Sequence, residues 1–141
     1  MMFPSKVGDA MSIPVITADC ENNVKDSATL MTERGVGSLI IVEKGKPVGI
    51  VTKRDIIKRV VSVGRDPSIT KNREIMTSPL ITTSRETGIL AAMRILRERH
   101  ISQMLVLDGE EMVGVISERD LIRAVSYASL ASFSPLMKEK K

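Results

Sequence analysis

Gly49-Ile50-Val51-Thr52-Lys53-Arg54-Asp55 returns 65 residues later as Gly114-Val115-Ile116-Ser117-Glu118-Arg119-Asp120. Outward from this stretch, residues 7–61 align with 72–126 without a gap, and 13 of the 55 pairs are identical. Met11/Met76, Pro14/Pro79, Thr17/Thr82, Glu33/Glu98 and Arg34/Arg99 are among them. Self-similarity at a fixed period marks one supersecondary unit per copy. Two copies do not make a solenoid. They predict a pseudo-twofold pair of units, 7–61 and 72–126, with a linker at 62–71 and a tail at 127–141 that is loose from Phe133.

Each copy orders its elements alike. A short extended segment comes first, Pro14–Thr17 and Pro79–Thr82. A helix follows: Ile89, Ala92, Met93 and Leu96 recur at helical spacing, as do Val24, Ala28 and Met31 in the first copy. Gly35 is placed to stop that helix, and His100 stands in its place in the second copy. Leu39–Val42 and Met104–Leu107 are continuous apolar runs, as in strands covered on both faces. Turn chemistry at Glu43-Lys44-Gly45-Lys46 and Asp108-Gly109-Glu110-Glu111 predicts a hairpin to return strands Val48–Val51 and Val113–Ile116. A second helix begins near Asp55 and Asp120. The fold class is therefore α+β, two β-α-β-β-α units with small sheets flanked by helices.

Composition narrows the function. The 43% apolar and 27% charged content is that of a globular chain. No apolar run reaches the length of a membrane span or a signal peptide, so a cytoplasmic protein is expected. Cys20 and His100 are each single in the sequence. An intrachain disulfide, a cysteine metal cluster and a histidine-based metal centre are thus unsupported. Nucleophile–base pairs are poorly supplied too, so no enzyme, no metal and no cofactor are expected. The formal charge of +4 invites nucleic acid. However, the halves 1–70 and 71–141 each carry +2, with both signs interleaved. Aromatic platforms for single strands are missing inside the repeats. Nucleic acid is not the favoured partner.

The repeated Gly-x-x-[Thr/Ser]-x-Arg-Asp carries what chemistry there is. Its bland meaning is a capping box: Thr52 or Ser117 caps a helix, and the acid three residues on caps it reciprocally. Three features point further. A glycine within a strand marks close approach of another backbone or a ligand. A helix N-terminus with Arg54 or Arg119 beside it suits an anion. An aspartate there can accept both hydroxyls of a ribose, as acidic residues do in dinucleotide sites.

With Met11-Ser12-Ile13-Pro14, Met76-Thr77-Ser78-Pro79, the Gly35–Val42 and His100–Leu107 segments and both motifs in this order, the chain resembles the cystathionine-β-synthase (CBS) domain family. The match is to a stand-alone CBS pair and extends over residues 7–126. The resemblance implies two units packed sheet to sheet, two clefts between them, dimerisation, and sensing of AMP, ADP, ATP or S-adenosylmethionine. It implies that one cleft uses Thr17, Gly37 and Ser38 with Ser117, Arg119 and Asp120. The other would use Thr82, Ser102 and Gln103 with Thr52, Arg54 and Asp55. In these sets the aspartate takes ribose, Thr or Ser takes phosphate or ribose, and Arg takes phosphate. Ile16 and Ile81 would lie against adenine. The chain departs from the family at Gly37-Ser38 and Ser102-Gln103, where some members carry a basic His-Arg pair.

The functional expectation is a non-enzymatic adenosine-ligand sensor, AMP foremost, that signals to a separate effector protein as a homodimer. Val24, Met31, Met93, Leu96 and Val125 are expected to serve the dimer. Lys53, Arg54, Lys58 and Arg59 are expected to give the Asp55 side the greater taste for phosphate. The alternatives are a CBS pair that binds a partner without nucleotide, and a nucleic-acid-associated module.

Overall fold

The computed structural model describes residues 4–139. The chain forms two compact units, one of Val15–Ile81 and one of the residues through Pro14 joined with Thr82 onward. We call them the inner and terminal units. The unit boundaries are offset from the sequence repeat. Each unit completes itself with a segment that precedes the opening strand of the other copy.

In the inner unit, β1 (Thr17–Asp19) lies parallel to β2 (Ser38–Glu43), which lies antiparallel to β3 (Lys46–Thr52). The terminal unit repeats this with β4 (Thr82–Ser84), β5 (Gln103–Asp108) and β6 (Glu111–Ser117). Thr17 pairs with Ile40, and Thr82 with Leu105. The strand–helix–strand–strand–helix order is as expected. β1 and β4 begin at Thr17 and Thr82, three residues beyond the prolines expected to open them.

Helix α2 (Val24–Arg34) starts where the Asn23 side chain accepts the N–H of Asp26. It stops at Gly35, which is left-handed at φ 64°, and α5 (Ile89–Arg99) stops at His100 in the same conformation at φ 54°. Successive residues Leu39, Ile40 and Ile41 are at most 1% exposed, as are Met104, Leu105 and Val106, so both faces of the central strands are covered. The inner core joins Cys20, Val24, Met31, Leu39, Ile41, Val51, Val60 and Ile75. Val7, Ile89, Ala92, Leu96, Ile116 and Leu121 are buried in the terminal unit.

Three expectations are corrected. Val24, Met31 and Leu96, assigned to a dimer surface, are at most 4% exposed and belong to the core. Their helical stripe is consumed by the sheet beneath. Second, α6 runs Glu118–Glu139, so residues 133–139, expected to be loose, are helical, and the last two residues of that expected tail lie outside the described residues. Third, the expected order of elements gains two short helices, α1 (Val7–Ala10) and α4 (Asn72–Ile75), one ahead of each opening strand. Each is one turn, too short for a periodic signal. They anchor the exchanged segments. Val7 donates to Thr87 O at 2.8 Å and Gly8 to Arg85 O at 3.0 Å in the terminal unit. Asn72 donates to Asn22 O at 2.9 Å and Arg73 to Cys20 O at 3.0 Å in the inner unit. Between β3 and α4, helix α3 (Lys53–Ile56) continues as a π-helical turn, Ile57–Val61.

Candidate functional site

The structure gathers the predicted residues by unit, at the end of each sheet where the antiparallel strand hands over to a helix. In the inner unit, Ile16 precedes β1 and accepts Ile40 N–H at 3.0 Å, and Thr17 opens that strand. Gly37 and Ser38 enter β2, and Ser38 pairs with Thr52 at the exit of β3. Lys53 N–H donates to Gly37 O at 3.1 Å, and the Lys53 stem lies along Gly37. Thr52, Arg54 and Asp55 therefore stand beside Gly37 and Ser38. In the terminal unit, Gln103 pairs with Ser117, and Glu118 N–H donates to Ser102 O at 3.0 Å. Thr82 opens β4 beside β5, and Arg119 and Asp120 begin α6. Ile81 ends the inner unit's chain segment. Arg54 and Arg119 are exposed.

Both capping boxes form. Thr52 Oγ1 accepts Asp55 N–H at 3.2 Å, and Asp55 Oδ2 accepts Thr52 N–H at 2.9 Å. Ser117 Oγ accepts Asp120 N–H at 3.2 Å, and Asp120 Oδ2 accepts Ser117 N–H at 3.0 Å. A capping residue of this kind stabilises its helix by about 1 kcal/mol. The aspartates are 8% and 6% exposed, so each must be satisfied by partners.

Part of that satisfaction comes from residues the sequence did not flag. Thr77 Oγ1 donates to Asp55 Oδ1 at 3.3 Å, and Ser12 Oγ reaches both oxygens of Asp120 at 3.1 and 3.2 Å. Ser12 and Thr77 are repeat-equivalent, each following the methionine of the Met-polar-x-Pro stretch. That equivalence was the available signal.

The strand glycines have the same explanation. A Cβ on Gly49 would lie 2.7 Å from Met76 Sδ and 2.9 Å from Thr77 O. On Gly114 it would lie 2.6 Å from Met11 Sδ and 3.1 Å from Ser12 O. The close approach is made by backbone and methionine. Ile50 and Thr77 exchange both backbone hydrogen bonds there, at 3.1 and 2.8 Å, and Val115 and Ser12 do so at 3.0 and 2.8 Å.

Arg59 departs from expectation. Its Nη1 donates to Ile75 O at 2.9 Å and Met76 O at 3.2 Å, and its Nε lies 3.9 Å from Asp55 Oδ1. These contacts turn part of the side chain toward the end of α4 and Asp55, while the side chain stays 44% exposed. Among the described residues no group of three or more His, Cys, Asp or Glu could hold a metal, and no helix is long and apolar enough to cross a membrane.

The CBS domain family matches residues 7–62 and 73–127. A Methanopyrus kandleri protein is 31% identical over 123 residues, 86% of this chain. The chain spans 63% and 53% of the length of two curated relatives, this one included. A protein with CBS domains from Burkholderia ambifaria has a similar structure, with TM-score 0.77 and 32% identity over 79% of this chain and 82% of that one. The CBS domain pair of protein MJ0100, solved in complex with 5′-methylthioadenosine and S-adenosyl-L-methionine, gives TM-score 0.78 and 27% identity over 87% and 97% of the two chains.

Proposed function

This chain belongs to the CBS-domain family as a pair of such domains, and from that premise we propose that it is a non-enzymatic regulatory module for adenosine ligands. AMP is the foremost ligand, with ADP, ATP and S-adenosylmethionine as further candidates, and the signal passes to a separate effector protein. One observation carries the proposal. At two equivalent strand-to-helix junctions a hydroxyl and a carboxylate are held three residues apart, Thr52 with Asp55 and Ser117 with Asp120, each beside an exposed arginine. Carboxylates accept ribose hydroxyls, and arginine suits phosphate. Thr17, Gly37, Ser38, Thr82, Ser102 and Gln103 stand at the same sheet ends and are carried forward as ligand contacts, with Ile16 and Ile81 toward the base. The solved MJ0100 pair, which holds two adenosine compounds, supports the ligand class.

A homodimer is part of the proposal. With Val24, Met31 and Leu96 buried, Met93, half-buried, and Val125, at 39% exposure, remain of the residues expected there, and Ile57 at 62%, Leu90 at 72% and Ile122 at 59% are among the exposed apolar residues that could join them. Light scattering that returns a monomer mass at every concentration refutes this part. A cytoplasmic setting suits the buried free thiol of Cys20.

Thermal unfolding against AMP, ADP, ATP, S-adenosylmethionine, NAD and a short RNA tests the function. A ligand that binds only the native state adds about 2.7 kcal/mol at a hundredfold excess over Kd. A shift with adenosine compounds and none with RNA is expected. One observation favours a second reading, a partner-binding pair without nucleotide: both aspartates already have hydrogen-bond partners inside their own units. Absence of a shift with every nucleoside selects it.

A further inference from the structure

The two repeat-equivalent aspartates are held by unequal numbers of donors. An ionised carboxylate offers about four lone-pair sites. Among the described residues, Asp55 accepts from Thr52 N–H at 2.9 Å, from Thr52 Oγ1 at 3.0 Å and from Thr77 Oγ1 at 3.3 Å. Its remaining capacity lies under a cation, Arg59, at 3.9 Å. Asp120 accepts from Ser117 N–H at 3.0 Å and from the one proton of Ser12 Oγ, shared between its oxygens. The position equivalent to Arg59 is Ala124, which brings no charge.

A vicinal diol presents two O–H donors and needs two acceptor sites on one carboxylate. Asp120 has them; Asp55 retains about one, and that one is shared with a guanidinium. We propose that Asp120 is the carboxylate that takes the ribose diol of an adenosine ligand, and that Arg59 and Thr77 withhold Asp55 from that role. The inference rests on the adenosine reading above and makes it unequal between the units. Arg59 is then a specificity-determining residue: it ties Asp55 to the end of α4 through Ile75 O and Met76 O and leaves that side dependent on contacts other than the diol. The basic residues Lys53 and Arg54 next to Asp55 do not restore diol binding, because they supply donors where acceptors are needed.

Titration calorimetry with AMP and 2′-deoxy-AMP decides the matter on the full chain, with Asp55→Asn and Asp120→Asn as variants. Wild type is expected to prefer AMP over its deoxy analogue by about tenfold or more, the range of a hydrogen bond to a charged group. Asp55→Asn keeps that ratio. Asp120→Asn brings it close to one. If Asp120→Asn does not fold, the ratio in Asp55→Asn decides alone. Loss of the preference in Asp55→Asn, or equal loss in both variants, overturns the asymmetry while leaving the adenosine reading in place. A wild-type chain that binds AMP without preferring it over the deoxy compound overturns the diol role alone. A wild-type chain that binds neither nucleotide overturns both.

Discussion

Replacing Gly49 by alanine tests the account of the exchanged segment directly. The new Cβ would sit 2.7 Å from Met76 Sδ and 2.9 Å from Thr77 O, inside the distance that real contacts allow. The methionine can swing aside, but Thr77 O cannot, because it accepts the Ile50 N–H at 3.1 Å while Thr77 N–H returns the bond at 2.8 Å. The backbone must separate. Overpacking of this kind costs about 1–3 kcal/mol, and loosening two backbone hydrogen bonds adds about 1 kcal/mol each at most. Gly49→Ala is therefore expected to lose about 2–4 kcal/mol. For a domain of this size that is a drop of roughly 6–15 °C in Tm. Gly114→Ala should cost less. Its tightest neighbours are side-chain atoms of Met11, and the backbone oxygen of Ser12 is farther away, at 3.1 Å. Chemical denaturation and calorimetry on both variants supply the measurement. A Gly49→Ala protein within 0.5 kcal/mol of wild type, or one less affected than Gly114→Ala, refutes the reasoning.

Three further predictions concern stability. Asn72 is fully buried, accepts Ser27 Oγ at 2.8 Å and donates to Asp19 O at 2.9 Å, so Asn72→Ala should cost about 2–4 kcal/mol by orphaning both partners; a urea midpoint unchanged from wild type would contradict this. His100 holds the left-handed position that Gly35 holds in α2, so His100→Gly should raise stability by about 0.5–1 kcal/mol, read as a higher melting temperature. Backbone N–H donors at Ser5 and Lys6 hold Asp9 below its ordinary 3.8, and the Lys71 N–H with Arg65 holds Glu74 below its ordinary 4.5. A depressed carboxyl contributes stability above its ordinary value and loses it as pH falls through the folded-state value, so acidification below about pH 4.5 should weaken the fold. Glu74→Gln should flatten that decline, and an unchanged slope counts against the assignment.

Much of the architecture was legible in the sequence because it is local or periodic. The 65-residue repeat is a regular period that alignment of the chain with itself exposes, and the helical stripe through Ala92 and Leu96, the stops at Gly35 and His100, the hairpin turns and the capping boxes each lie within a short window. Propensity, spacing and cap chemistry act at that range. What the chain does across long separations was decided only by the tertiary structure. Ser12 and Asp120 are 108 residues apart, and Thr77 and Asp55 are 22 apart. The same holds for the methionines over Gly49 and Gly114, the burial of Val24, Met31 and Leu96, and the diversion of Arg59 to Ile75 O and Met76 O. A motif shows that a carboxylate is available, but how many of its lone pairs are already taken depends on which distant segment folds against it. The sequence shows that the surroundings of Asp55 and Asp120 differ in charge, Arg59 against Ala124, but which way Arg59 turns and which distant hydroxyl meets each aspartate was set only by three-dimensional packing, where each buried polar atom must find a partner.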